Sequence, residues 1–366
     1  MTVPAPRVRR RPSVAGRALP LLLVLALLAP LGLLFAQTDR HTGNDRDLAA
    51  RERLGVRYLR ALGPVTDALV EAQSDAVAGR PVSRAALASA VERAAEVDSA
   101  VGDELRSHDR WSGLRAKLEA VPDHGLTDPE AAYQAYGEVN DLLLALHRKV
   151  RESSGLIRDP RSDSFFLQDA VGGDLPEAMV AAGRLADLAT LAARRPAADR
   201  AKSVTELAGL RMTALAPATD LVADLRTAVE SSESTDLGST VLTPLDTYQR
   251  SVEALAAFSA PDPRSGGGPA DPSRLTAARL TAHTAAKQLQ PVILDQLDAL
   301  LKARLHQLDR DRRLAQAAVG VAGVLLVLLA GTLLAALRRA RRRAAVEPQR
   351  SDAPAPDPGG PGQGGP

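Results

Sequence analysis

Residues 294–343 read LDQLDALLKARLHQLDRDRRLAQAAVGVAGVLLVLLAGTLLAALRRARRR. The first third sets Leu294, Leu297, Leu301, Leu305 and Leu308 at steps of three and four residues, the repeat of one face of an α-helix. From Leu314 to Leu337 there is no charged residue over 24 positions. At about 1.5 Å per residue that run is long enough to cross a hydrocarbon core roughly 30 Å thick. Arg338, Arg339, Arg341, Arg342 and Arg343 follow at once. The stretch therefore reads as an amphipathic helix that runs into a transmembrane helix and stops at a basic flank.

The other end of the chain mirrors it. Ala18 to Thr38 is a run of 21 residues without a charge, preceded by Arg7, Arg9, Arg10, Arg11 and Arg17. Basic flanks stay on the cytoplasmic side, so both termini are expected in the cytoplasm and residues 39–313 outside it. A cleaved signal peptide is the rival reading of the first run. Against it, the apolar run exceeds an h-region of about 7–15 residues, and Leu34-Phe35-Ala36 lacks a small residue at its first position. The expected order is a basic N-terminus (1–17), span one (18–38), an extracytoplasmic domain (39–313), span two (314–337) and a tail (338–366). The last 20 residues of the tail contain six Pro and five Gly, a composition expected to be disordered.

Between the spans the apolar residues keep helical spacing. Leu54, Tyr58, Leu62, Val65 and Leu69 form a second stripe like the first. Breaks at Gly79-Arg80-Pro81, Pro122 to Gly125, Asp159-Pro160, Arg195-Pro196, Ser231 to Gly238 and Pro261 to Pro272 delimit helices over 39–79, 83–121, 129–157, 163–194, 197–231, 239–259 and 273–313. Pro64, Pro217 and Pro291 fall inside three of these, where kinks or further breaks are expected. The expected fold is all-α: a long-helix bundle, large enough for two stacked four-helix modules, between two transmembrane helices.

Composition removes several functions. There is no Cys among the 366 residues and aromatics are 2%, which excludes disulfide scaffolds and thiolate chemistry. Arg far outnumbers Lys, as in proteins from GC-rich bacterial genomes. The terminal segments carry 11 basic and three acidic residues, leaving 35 basic and 41 acidic between them. The overall basic balance thus belongs to the membrane flanks, and nucleic acid is not an expected partner. No phosphate-binding glycine loop, Gly-x-Ser-x-Gly or His-Glu-x-x-His occurs. The six His are dispersed and are expected to be solvated or helix-terminal, with no metal, cofactor or catalytic site.

One segment stands apart, RESSGLIRDPRSDSFFLQDAVGGDLP at residues 151–176. It gathers Phe165 and Phe166 beside Arg158, Asp159, Asp163, Ser164 and Asp169. Asp159 with Pro160, or Asp163, can cap the following helix while a ring fills the core. Alternatively each carboxylate has a ring as its helical neighbour, and Arg151, Arg158 and Arg161 can meet an anionic ligand.

The segment resembles the "L-I-x-D-P-x-L-D-S-Y-Y-L-M-D…L-P" pattern in extracytoplasmic helical sensor regions of bacterial transmembrane histidine kinases and chemoreceptors. The matching residues are Leu156, Ile157, Asp159, Pro160, Asp163, Ser164, Leu167, Asp169, Leu175 and Pro176. Glu52-Arg53-Leu54-Gly55-Val56-Arg57-Tyr58-Leu59 is similar to the "E-R-x-G-x-x-Y-L" that opens the first outer helix of such regions. The two tyrosines of the pattern are Phe165 and Phe166 here, Ser162 and Gln168 replace its Leu and Met, and its "H-R-G" has no counterpart near Gln73 to Gly79. No kinase or methylation helices follow span two. The resemblance implies a two-pass cytoplasmic-membrane protein whose outer domain binds a small molecule or a partner. Output would pass through a homodimer or a separate signalling protein. The alternative is a structural adaptor of the cell envelope with no small-molecule site.

Overall fold

The computed structural model describes residues 15–121, 128–158, 161–232, 235–259 and 271–346. Every regular element among them is helical, so the fold is all-α. The order is α1 (Ala15–Ala78), α2 (Arg84–Val101), α3 (His108–Glu119), α4 (Pro129–Ser154), α5 (Ser162–Asp169), a π-helical turn (Ala170–Asp174), α6 (Leu175–Arg194), α7 (Arg200–Ala214), α8 (Ala216–Ser231), α9 (Thr235–Ser259) and α10 (Pro272–Val346). The chain divides into a helical unit, Arg40–Leu308, and a terminal unit made of Met1–Asp39 with Asp309–Pro366.

One helix among the described residues, Pro272–Ala336 within α10, is long and apolar enough to cross a membrane; none of its most apolar window is buried. Val321, Val324, Leu325, Val327 and Leu328 all face outward. The apolar run 18–38 lies in α1. Arg312 Nε meets Asp39 Oδ1 at 3.2 Å. Arg338, Arg339 and Arg342 are exposed on the last turns of α10, and the side chains of Arg17, Arg341 and Arg343 are not described. Arg9, Arg10, Arg11 and the tail from residue 347 lie outside the described residues.

The helical unit buries the stripes that the spacing predicts. Tyr58, Leu62, Val65 and Leu69 of α1 and Leu294, Leu297 and Leu301 of α10 are each at most 2% exposed. A fully buried side chain of this size contributes about 1.5–3 kcal/mol. The core forms two clusters. The larger draws on α1 to α6 and α8 to α10. The smaller, with Leu185, Ala189, Leu207, Leu255 and Leu275, draws on α6, α7, α9 and α10.

The helices differ from the expected seven for local reasons. Residues 83–121 are two helices, with a turn over 102–106 between them. Gly102 N–H bonds Asp98 O at 2.6 Å, and a Cβ at Gly102 would stand 2.3 Å from Asp98 Oδ1. Arg106 then takes φ 50°, a conformation costly to a non-glycine residue. Helices α1 and α10 run on through Pro64 and Pro291. Pro217 sits in the first turn of α8, where a missing N–H has no helical partner to lose.

Candidate functional site

The segment singled out in the sequence is placed as follows. Helix α5 begins at Ser162, with extended Arg161 as its N-cap residue and no side-chain cap. Asp163 is therefore a first-turn residue; its side chain, like all of Asp159, lies outside the described residues. Arg158 is exposed. Ser164 is buried and its hydroxyl donates to Arg161 O at 3.4 Å. The rings of Phe165 and Phe166 meet edge to face with centroids 5.4 Å apart, and Phe166 packs on the larger core.

Asp169 is drawn the other way, into an ion pair with Arg151 of α4. The wide π turn and its glycines make room for that arginine. A Cβ at Gly172 would stand 2.8 Å from Arg151 Cδ, and one at Gly173 would collide with Nη1. Asp174 closes the turn, and α8 brings Asp220 and Asp224 against it. Burial, then the charges of Asp169, Asp224 and Asp220, push Asp174 up to about 7. Burial, then Asp169 and Asp220, push Asp224 up to about 6, while a side-chain hydrogen bond with Asp174 holds it down. Asp174 and Asp224 thus hold their protons more tightly than ordinary carboxyls. No group of three ligating side chains among the described residues can hold a metal ion.

The two blocks of residues 52–59 and 156–176 meet in space. A Cβ at Gly55 would fall 2.4 Å from Ser154 Oγ and 2.9 Å from Leu156 Cδ1. Leu59 Cδ1 would lie 3.5 Å from a Cβ at Gly172.

A groove of about 350 Å³ opens among α2, α3 and α4, walled by Val82, Leu87, Val91, Leu118 and Val121. Arg84, Glu92 and the Arg115–Glu119 pair also line it. Tyr136 lines the groove, is 4% exposed, and its hydroxyl makes no hydrogen bond among the described residues. Apolar walls with a few polar groups are the composition of a small-molecule site.

The third feature is a polar layer through the core. His147 shares a 3.2 Å hydrogen bond with Thr66 Oγ1. Gln73 donates to Asp187 Oδ2 at 2.9 Å and accepts from Asn140 at 2.7 Å. Burial pushes Asp187 and Asp67 up to about 6. Burial, then neighbouring cations, lowers His147 to about 3 and His283 to about 4. The expectation that every histidine is solvated or helix-terminal is thus corrected: His147 and His283 are 1% and 6% exposed. Helical packing, which a single residue's sequence neighbourhood does not reveal, took them inside.

Helices α1 and α10 are laced by ion pairs in one antiparallel register. Glu52 meets Arg304 at 3.6 Å, Arg53 meets Asp298 at 2.8 Å and Arg60 meets Asp295 at 2.7 Å. Beyond Gly63, where a Cβ would touch Gln290, Asp67 meets Lys287 at 3.6 Å, and the uncharged His283 ring stands 3.8 Å from Glu71.

The chain matches no family model, no curated protein and no solved structure. Function rests on this geometry.

Sequence reading missed Asp174, Asp220, Asp224, Tyr136, Asp67, Asp187 and His283. Their one local signal is a charged or polar residue on the apolar face of a helix, such as Asp187 between Ala186 and Leu188. Partners that lie from 46 residues away, as for Asp174 and Asp220, to 216, as for Asp67 and His283, leave no motif.

Proposed function

We propose that this chain is a two-pass protein of the bacterial cytoplasmic membrane with an extracytoplasmic helical sensor-like bundle. The bundle takes a small molecule, and the chain relays through another protein or a second copy of itself. The observation that carries the reading is the polar seam between α1 and α10, because these same helices carry the apolar terminal runs. Glu52 and Asp67 set carboxylates inside the packing while their neighbours on the seam reach solvent, and an interface built only for stability gains more from apolar side chains than from buried charges. Polar partners at one-turn spacing instead define discrete registers. Asp67 lies 3.6 Å from Lys287 and 3.7 Å from His283, four residues apart on α10. A shift of about 1–2 Å between two such helices trades one partner against the other. The two core clusters fit two stacked modules, and the resemblance of residues 52–59 and 156–176 to sensor regions supports the same reading. The groove beside Tyr136 is the site for the ligand: a compact apolar body with one polar or anionic group, which the Tyr136 hydroxyl can meet.

The test uses the full chain in native membranes, where the lack of Cys makes paired cysteines clean. Cysteines replacing Arg60 and Asp295 report the seam. Benzoate, hexanoate and indole-3-acetate serve as probes. The expected result is a crosslinking yield that changes with at least one probe and stops changing in Ala88→Trp, which fills the groove. Alkaline phosphatase fused after Leu308 is expected to be active, and fused after Arg343 inactive. An inactive fusion after Leu308 overturns the topology. Yields unmoved by every probe move the reading to an envelope adaptor.

A further inference from the structure

We infer that the small cavity beside Arg279, within the helical unit, is a binding site for one monovalent anion of halide size. The cavity lies among α6, α8, α9 and α10. Its walls are mostly alanine and aliphatic, with Met179, Ala182, Ala218 and Leu255 among them, and its polar lining residues are Arg279, His283 and Tyr248. No carboxylate lines it. The three polar side chains are 2%, 6% and 3% exposed.

Arg279 is the anomaly. It heads the largest fully buried side chains, and its Nε and Nη1 have no hydrogen-bond partner. Among the described residues it makes no ion pair. The attractive charge that acts on it most is Asp187, whose Oδ2 is held by Gln73 Nε2 at 2.9 Å. Both ring nitrogens of His283 also lack a hydrogen bond, its nearest carboxylates being Asp67 at 3.7 Å and Glu71 at 3.8 Å. Burial, then the charges of Arg279 and Lys287, keeps this ring neutral, so it donates from one nitrogen.

Asp187, Glu71 and Asp75 attract the guanidinium without bonding it, and a guanidinium taken out of water with no bonded counter-ion is strongly unfavourable. Arg279 offers only donors; Tyr248 and the neutral His283 ring can accept as well as donate, so a water held there would be bonded yet would leave the charge of the guanidinium unanswered. An anion needs only donors and also supplies a bonded counter-charge. The space open to the centre of a water-sized sphere is about 10 Å³, about one such particle. That admits chloride or bromide and is too small for sulfate or an organic acid. The site is separate from the groove beside Tyr136, and its test does not depend on signalling.

The experiment uses the full chain in detergent micelles, exchanged into sodium gluconate and titrated with sodium chloride or bromide at constant ionic strength. The expected result is a midpoint of thermal unfolding that rises and saturates with either halide and not with sulfate. In Arg279→Gln the midpoint is expected to stop responding to halide. An equal response in wild type and variant overturns the proposal, because the effect is then general to the salt. Bromide-soaked crystals of the unsubstituted protein decide the matter even where the variant does not fold. An anomalous peak within about 3.5 Å of Arg279 Nε supports the site, and its absence at saturating bromide overturns it.

Discussion

Tyr58 on α1 donates its phenolic hydrogen to Asp98 Oδ1 on α2 at 2.7 Å. The other oxygen of the same buried carboxylate holds His108 Nδ1, at the start of α3, at 2.6 Å. Three helices are thus pinned at one carboxylate, and burial together with the Asp98 bond holds the Tyr58 hydroxyl protonated.

Removing that hydroxyl in Tyr58→Phe leaves Asp98 buried with one donor fewer. The expected cost is about 1–3 kcal/mol by urea unfolding.

His108 gives this node a pH dependence. The bond to Asp98 and its charge raise the His108 pKa above 6.5. A group whose folded value lies above its unfolded value stabilises fully below the unfolded value. That stability is lost as the pH rises through the folded one. Wild type is expected to lose stability relative to His108→Gln as the pH climbs above about 6.5. A constant difference between the two from about pH 5.5 to 8.5 sinks the assignment.

The Glu52–Arg304 rung is asymmetric, with side chains 0% and 12% exposed. Arg304→Ala removes the cation facing a fully buried carboxylate and is expected to cost about 3–5 kcal/mol. The pair Glu52→Gln with Arg304→Gln is expected to cost less than Arg304→Ala alone. Equal losses in chemical denaturation count against a buried charge pair.

Asp67, Asp187 and Asp224 are raised to about 6 and Asp174 to about 7. An acid whose folded value is raised binds its proton more tightly in the native state, so acidification from neutral pH favours folding. His147 and His283, lowered in the fold, oppose this below 6.5. The unfolding midpoint is therefore expected to rise as the pH falls from about 7.5 to 6. Asp174→Asn is expected to flatten that rise, and a midpoint that falls over this range contradicts the buried cluster.

The junction of the two sequence blocks is tight. Gly55→Ala brings a methyl against Ser154 and Leu156, and overpacking of about 1–3 kcal/mol is expected. A variant as stable as wild type means that α1 and the end of α4 separate freely there.

What the sequence determined by itself is what short-range periodicity and charge encode. A stripe such as Leu294, Leu297 and Leu301 has one helical face to bury, so the all-α class was legible, as were an apolar run ended by arginines and the proximity of aromatic and acidic residues in α5. The seam from Glu52–Arg304 to Glu71–His283 was not legible, although each member was in plain view. Nor was the node at Asp98, whose carboxylate takes Tyr58 from α1 and His108 from α3. The marked segment was half-read: Asp169 turns to Arg151, and its neighbours Asp220 and Asp224 arrive from α8. Only the tertiary structure decided which polar residues are buried and which charges face each other. A charge on a helix looks the same in sequence whether water or another helix stands beside it, and its energy depends on that neighbour.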